Sequence, residues 1–160
     1  MFTLPPLIEE DVHEMQNALG ELITRSEATL ALVIDKGGFV VAANGLSDSI
    51  DATTLAALAA AAYTANQAIA SLIQEPNFTS VYQQGEHLSL LVNNVDDQCL
   101  LVVVFKAHYS VGVVKYYANY TIQQVAAQLR RAQERAPGEG LDLSMLNLAD
   151  PSAVFRRKQT

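Results

Sequence analysis

After the punctuation Pro5-Pro6, apolar residues recur at helical spacing at Ile8, Val12, Met15, Leu19, Leu22 and Ile23. Glu9, Glu10 and Asp11 occupy the first turn, where negative charge suits the positive end of the helix dipole. This predicts an amphipathic helix. The pattern then changes to short branched runs, Leu30-Ala31-Leu32-Val33-Ile34 and Phe39-Val40-Val41-Ala42-Ala43, separated by Asp35-Lys36-Gly37-Gly38. Such runs read as a hairpin whose glycines supply the turn angles. Asn44 to Asp51 is a polar loop, and Thr53 or Thr54 is the expected cap of a long second helix running to Pro76. Three strand-like runs follow: Phe78 to Gln83, Leu88 to Val92, and the wholly apolar Cys99 to Phe105, which reads as a strand covered on both faces. The turns at Gln84-Gly85-Glu86 and Asn94-Val95-Asp96-Asp97 are short enough to make these a meander. A third helix, marked by Val114, Ala118, Ile122, Val125 and Leu129, runs from Val111 to about Arg135 and stops before Pro137-Gly138-Glu139-Gly140.

The resulting order, α-β-β-α-β-β-β-α, fits an α/β (α+β) chain with a single five-stranded antiparallel sheet flanked by helices. The expected division is one domain over 1–136 and a tail over 137–160. That tail combines Leu141, Leu143, Leu146, Leu148, Val154 and Phe155 with the basic run Arg156-Arg157-Lys158, so docking on an acidic partner competes with a frayed terminus.

The second helix has no charged residue between Asp51 and Glu75. On a helical projection Leu55, Leu58, Ala62, Ala65, Ile69, Leu72 and Ile73 form one stripe, which is expected to face the core. The opposite stripe, Thr53, Ala57, Ala60, Thr64, Gln67, Ala68 and Ser71, is small or uncharged where a solvated face would carry Lys, Glu or Arg. Small side chains let a partner approach closely, so this stripe reads as a protein interface, against the plainer view that alanine is simply a strong helix former. Within it Ala57, Ala60, Thr64, Gln67, Ala68 and Ser71 are the candidate partner-binding residues. Thr53 and Ala61, with Thr79, Val81 and Gln83 of the charge-free edge strand, are candidates for self-association.

The chain is 160 residues, half of them hydrophobic and 17% charged, which suits a folded domain and excludes a disordered one. A net charge of -7 and a pI near 4.8 argue against nucleic acid as a partner. Cys99 is the one cysteine and is expected as a buried small hydrophobe, so no disulfide framework applies. Met1 to Pro6 lacks the character of a signal peptide, and the Thr, Asn, Gln and Ser of the second helix make it a poor membrane span. A cytoplasmic location follows as an expectation.

Candidate chemistry is sparse. His13, His87 and His108 fall on different elements without metal-site spacing, so no metal or other cofactor is expected. No Gly-x-Ser-x-Gly elbow is present, and Gly37-Gly38 is followed by Phe39 rather than the Lys and Ser or Thr of a phosphate loop. The chain is thus neither a serine hydrolase of that kind nor itself a GTPase. Arg25, Arg130, Arg131, Arg135, Arg156 and Arg157 are the residues able to act in trans as an arginine finger, although helix-end charge already explains Arg130 and Arg131.

The element order, together with Leu32-Val33-Ile34-Asp35-Lys36-Gly37-Gly38-Phe39-Val40-Val41-Ala42, resembles the Roadblock superfamily and within it the bacterial MglB-type regulators of a Ras-like GTPase. Further matching pieces are the alanine-rich helix ending in Leu72-Ile73-Gln74-Glu75, Phe78, the Gly85-Glu86 turn, the Leu101-to-Phe105 strand and Gly112-Val113-Val114-Lys115, so the resemblance covers roughly Leu7 to Arg130. It implies a Roadblock-like fold and a homodimer in which edge strands and second helices meet. It also implies a platform for a small GTPase whose hydrolysis is stimulated by positioning the GTPase's own residues, in cell polarity or gliding motility. A dimeric scaffold without activating effect, or a small-molecule sensor, are the alternatives that the residues leave open.

Overall fold

The computed structural model describes residues 4–45 and 48–135. Its elements are α1 (Glu9–Ser26), β1 (Leu30–Asp35), β2 (Val40–Asn44), α2 (Ala52–Leu72), β3 (Ser80–Gln84), β4 (Leu88–Asn94), β5 (Cys99–Lys106) and α3 (Val111–Glu134). The tail 137–160 lies outside the described residues.

All five strands join one antiparallel sheet in the order β2-β1-β5-β4-β3, so the apolar β5 sits at the centre and β3 forms an edge. Residues opposite one another in an antiparallel pair share a face. One face carries Ala31, Val33, Leu91, Leu101, Val103 and Phe105, covered by Met15, Leu19 and Leu22 of α1 and by Val114, Ala118, Val125 and Leu129 of α3. The other carries Leu30, Leu32, Ile34, Val92, Leu100, Val102 and Val104 beneath α2. Each fully buried Leu or Val of this kind contributes roughly 1.5–3 kcal/mol of transfer free energy, which is why the central strands need helices on both sides. Cys99 is buried in this core, as its apolar run predicted.

The β1–β2 turn closes through Asp35: its N–H donates to the Phe39 carbonyl at 2.9 Å, and its Oδ1 accepts the Phe39 N–H at 2.9 Å. Phe39 therefore belongs to the turn and stands 74% exposed, so β2 starts one residue later than the run suggested. Gly38 holds φ +96°, and an added Cβ there would stand 2.9 Å from Ala57 Cα. Glycine is required at this point by both angle and space, because the turn lies against α2.

The cap of α2 is Asp51 and not Thr53 or Thr54. Its Oδ2 accepts the Thr54 hydroxyl at 2.6 Å and its Oδ1 the Thr54 N–H at 3.1 Å, and these bonds hold the carboxyl below its ordinary range. At the other end the helix stops at Leu72, ahead of Pro76. Gln74 turns left-handed at φ 61°, and the Glu75 N–H donates back to the Ala70 carbonyl at 2.9 Å.

α1 and α3 are tied at one end by Asp11, which has no exposed surface. Its Oδ2 accepts the Ile8 N–H at 2.9 Å and Arg135 Nη1 at 2.9 Å, while Oδ1 accepts Arg135 Nη2 at 2.8 Å and Gln128 Nε2 at 2.7 Å. Burial raises the Asp11 pKa, but the Arg135, Ile8 and Gln128 hydrogen bonds and the guanidinium charge outweigh it and leave the pKa lowered.

Candidate functional site: α2 and the open edge of the sheet

The side of α2 that meets the sheet is made of Ala56, Ala59, Ala60 and Tyr63, and Ala70 is buried nearer the helix end. This corrects the expected orientation. The stripe of large aliphatics was to face the core, yet Leu58, Ile69, Leu72 and Ile73 are 64%, 49%, 83% and 65% exposed, and Leu55 and Ala62 are half-buried. The reason is volume: β1 and β5 already fill this face with Leu, Ile and Val, so the helix approaches through methyl groups and has room for one large wedge, Tyr63.

Of the candidate partner-binding residues, Ala57, Thr64, Ala68 and Ser71 are exposed and Gln67 is half-buried. Ala60 is 4% exposed and packs on the chain's own sheet, so it is withdrawn from the surface. Thr53 and Ala61 are exposed on α2. The hydroxyls are partly spent at home: Thr64 Oγ1 donates to the Ala60 carbonyl at 3.0 Å and Ser71 Oγ to the Gln67 carbonyl at 3.2 Å.

The strand residues divide differently. The Asn94 N–H donates to the Thr79 carbonyl at 3.0 Å, and the register pairs Val81 with Val92 and Gln83 with Leu90. By the alternation of an antiparallel ladder, Thr79, Val81 and Gln83 turn their peptide groups to β4, and Ser80, Tyr82 and Gln84 turn theirs to the open edge. The side chains of Thr79, Val81 and Gln83 lie on the α2 side, while the backbone able to pair belongs to their neighbours. No charged side chain lies on β3.

α2 and β3 are joined through one carbonyl. That of Phe78 accepts Tyr63 Oη at 3.3 Å and Gln67 Nε2 at 3.1 Å, with Asn94 Oδ1 also 3.3 Å from the tyrosine hydroxyl. Burial raises the Tyr63 pKa, and Lys36 Nζ stands 5.8 Å from its ring centroid. These groups line a cavity of about 340 Å³ with Thr64, Asn77, Thr79 and Asp97, and Gln67 Oε1 is buried there without a hydrogen-bond partner. On the other flank of α2 is an apolar groove of about 360 Å³ between Leu55 and the β3–β4 hairpin, lined also by Ile50, Gln83, Leu88, Leu90 and Val104. Sequence reading missed Tyr63, Lys36, Asn94 and this groove. The available signal was the alanine spacing at 56, 59 and 60, which already forms a sheet-facing stripe.

The Roadblock/LC7 domain model matches residues 14–105, which holds α1 from its second turn through β5 and so spans both α2 and the open edge. The chain belongs to the Roadblock/LC7 domain family. Among solved structures it is similar to an MglB described with a tetrameric arrangement, at 29% identity and a TM-score of 0.76 over 82% of this chain and 99% of that one. It is similar to the gliding protein MglB of Thermus thermophilus, at 28% identity and a TM-score of 0.73 with the same coverage. Myxococcus xanthus MglB shares the fold at 24% identity and a TM-score of 0.75, covering 82% of this chain and 98% of its own. Within this Roadblock domain α2 is the one described helix long and apolar enough, by length and composition, to cross a membrane, and three of its buried alanines, Ala56, Ala59 and Ala60, pack on the sheet.

Proposed function

We propose that this Roadblock protein is a cytoplasmic, homodimeric regulator that binds a Ras-like, MglA-type GTPase and stimulates its GTP hydrolysis, in cell polarity or gliding motility. The observation that carries the reading is the agreement over nearly the whole length of two MglB structures at 28–29% identity. The uncharged α2 and the open β3 edge supply the surfaces such a role needs. Two copies pair β3 with β3 and set their α2 helices side by side, and the GTPase docks on the small-residue flank bearing Ala57, Thr64, Gln67, Ala68 and Ser71. The chain donates no catalytic residue. Its contribution is to hold the GTPase's own groups in a reactive arrangement, which lowers the barrier by positioning.

The test is single-turnover GTP hydrolysis by the Ras-like GTPase of the same organism, with the native protein and with a Thr64→Arg plus Ala68→Arg variant. Acceleration by the native chain and its loss in the variant are expected. Binding without acceleration would leave a dimeric scaffold, and absence of binding would remove the GTPase reading for that partner.

A further inference from the structure

The cavity between α2 and the approach to β3 draws polar side chains from elements far apart in the chain. Lys36 comes from the β1–β2 turn, Tyr63 and Gln67 from α2, and Asn94 and Asp97 from the end of β4 and the turn that follows it. No single loop or helix assembles this set, and only the fold brings it together.

Its hydrogen bonding is unbalanced toward acceptors. Tyr63 has one hydroxyl hydrogen, yet the Phe78 carbonyl and Asn94 Oδ1 each stand 3.3 Å from its oxygen. Gln67 Nε2 donates to that same carbonyl at 3.1 Å, which fixes the orientation of the amide and leaves Oε1 buried with no partner. An unserved buried acceptor is costly, so a donor that reaches it gains affinity. The charges are unmatched too. Neither the Lys36 ammonium nor the exposed Asp97 carboxylate forms an ion pair among the described residues. The neighbouring acids are already engaged: Asp35 Oδ1 accepts the Phe39 N–H, and Asp96 Oδ1 accepts the N–H groups of Gln98 and Cys99 at 2.8 Å. Lys36 Nζ lies 5.8 Å from the centroid of the Tyr63 ring, at the tyrosine wall of the cavity.

We infer that this cavity binds a free α-amino acid with a small or uncharged side chain, its ammonium group donating to Gln67 Oε1, Asn94 Oδ1 and the Asp97 carboxylate while its carboxylate pairs with Lys36. An ammonium group carries three N–H donors, one for each of these acceptors. The volume of about 340 Å³ is at the small end of ligand cavities and suits a small metabolite. A nucleotide is disfavoured, since its phosphates need several cations and the lining offers one beside a carboxylate. Thr64, Asn77 and Thr79 complete the polar lining without charge, so a charged side chain on the ligand finds no partner there.

The test uses the full native chain by itself. Each standard protein amino acid is added singly while the melting temperature is followed, and the one giving the largest rise is titrated by calorimetry. At about a hundredfold above its dissociation constant the melting temperature should rise by roughly 5–10 °C. Lys36→Met and Asp97→Asn should leave the melting temperature without ligand near the native value and should each weaken binding at least about tenfold. Capping the ligand probes the same contacts from the other side: its carboxamide and its N-acetyl derivative should each bind at least about tenfold more weakly. No rise with any amino acid overturns the proposal, and so does binding that the two variants or the two caps leave unchanged. None of these outcomes bears on the GTPase reading, because no GTPase is present in the measurement.

Discussion

Replacing Arg135 by Met removes the guanidinium from Asp11 while keeping most of the side-chain stem, and the structure fixes what is lost. Two hydrogen bonds of 2.8 and 2.9 Å to a carboxylate without exposed surface disappear. Breaking a buried ion pair by removing one partner generally costs roughly 3–5 kcal/mol, because the other charge is left uncompensated. Asp11 keeps the Ile8 N–H and the Gln128 amide, which offset part of that cost, so about 2–3 kcal/mol, at or just below the range, is expected. With a urea slope of about 2 kcal/mol per molar, the unfolding midpoint should fall by roughly 1–1.5 M. The pH dependence supplies an independent check. The Asp11 carboxyl is held below 3.8 in the folded chain, so its stabilisation is complete above that value and is lost as pH falls through the lower folded value. The gap between native and variant midpoints should therefore shrink in acid, as the carboxyl of the native chain is protonated too. Arg130→Met, an exposed arginine on the same helix, is the control. If Arg135→Met moves the midpoint no further than Arg130→Met at neutral pH, the clamp contributes nothing and the account of Asp11 is wrong.

Three further outcomes are expected. With two β3 strands paired antiparallel and Tyr82 opposite Tyr82, the register that engages all three outward-facing residues, Tyr82→Cys should cross-link to itself between copies, whereas Ser80→Cys and Gln84→Cys should not, each being displaced four residues from its own counterpart; efficient Ser80→Cys coupling would reject that register. Gly38→Ala should destabilise by about 1–3 kcal/mol, read as a lower melting temperature, because a Cβ at φ +96° meets the Ala57 backbone at 2.9 Å; an unchanged melting point would show that the turn can move away. Cys99 should resist thiol reagents in the native chain and react on denaturation, and native labelling at a pH of about 8 would contradict its burial.

The order and type of all eight elements were readable because each bears a clean period or a branched run between turn residues, and the charge-free central run of β5 marked the middle of the sheet. Boundaries shifted where a single side chain or dihedral decides: Asp51 took the cap expected at Thr53 or Thr54, and left-handed Gln74 ended α2 before Pro76 could. The carbonyl of Phe78 as a junction was invisible, since it depends on Tyr63 and Gln67 meeting a backbone atom 15 and 11 residues away. The Asp11 clamp was likewise hidden, its partner lying 124 residues along the chain.

The orientation of α2 was the one misreading of pattern, and it separates two uses of hydrophobicity that a projection cannot tell apart. A stripe of Leu and Ile marks burial, but not whether the burying surface belongs to the same chain. Here the sheet is already filled by Leu30, Leu32, Ile34, Leu100 and Val102, so the helix contributes alanines inward and keeps its large side chains outward. Substitution should thus run opposite to habit. Ala59→Leu, which adds three carbons against a closed face, should cost the single chain about 1–3 kcal/mol of stability by overpacking. Leu58→Gln, on a residue 64% exposed, should change the unfolding of the dilute single chain by about 0.5 kcal/mol or less while weakening self-association. Denaturation in urea at two protein concentrations distinguishes these effects, because a loss confined to the dimer grows with concentration and a loss in the core does not. If instead Leu58→Gln unfolds the chain at every concentration and Ala59→Leu is silent, α2 presents its aliphatic stripe to the sheet after all, and the proposed interface has no surface to use.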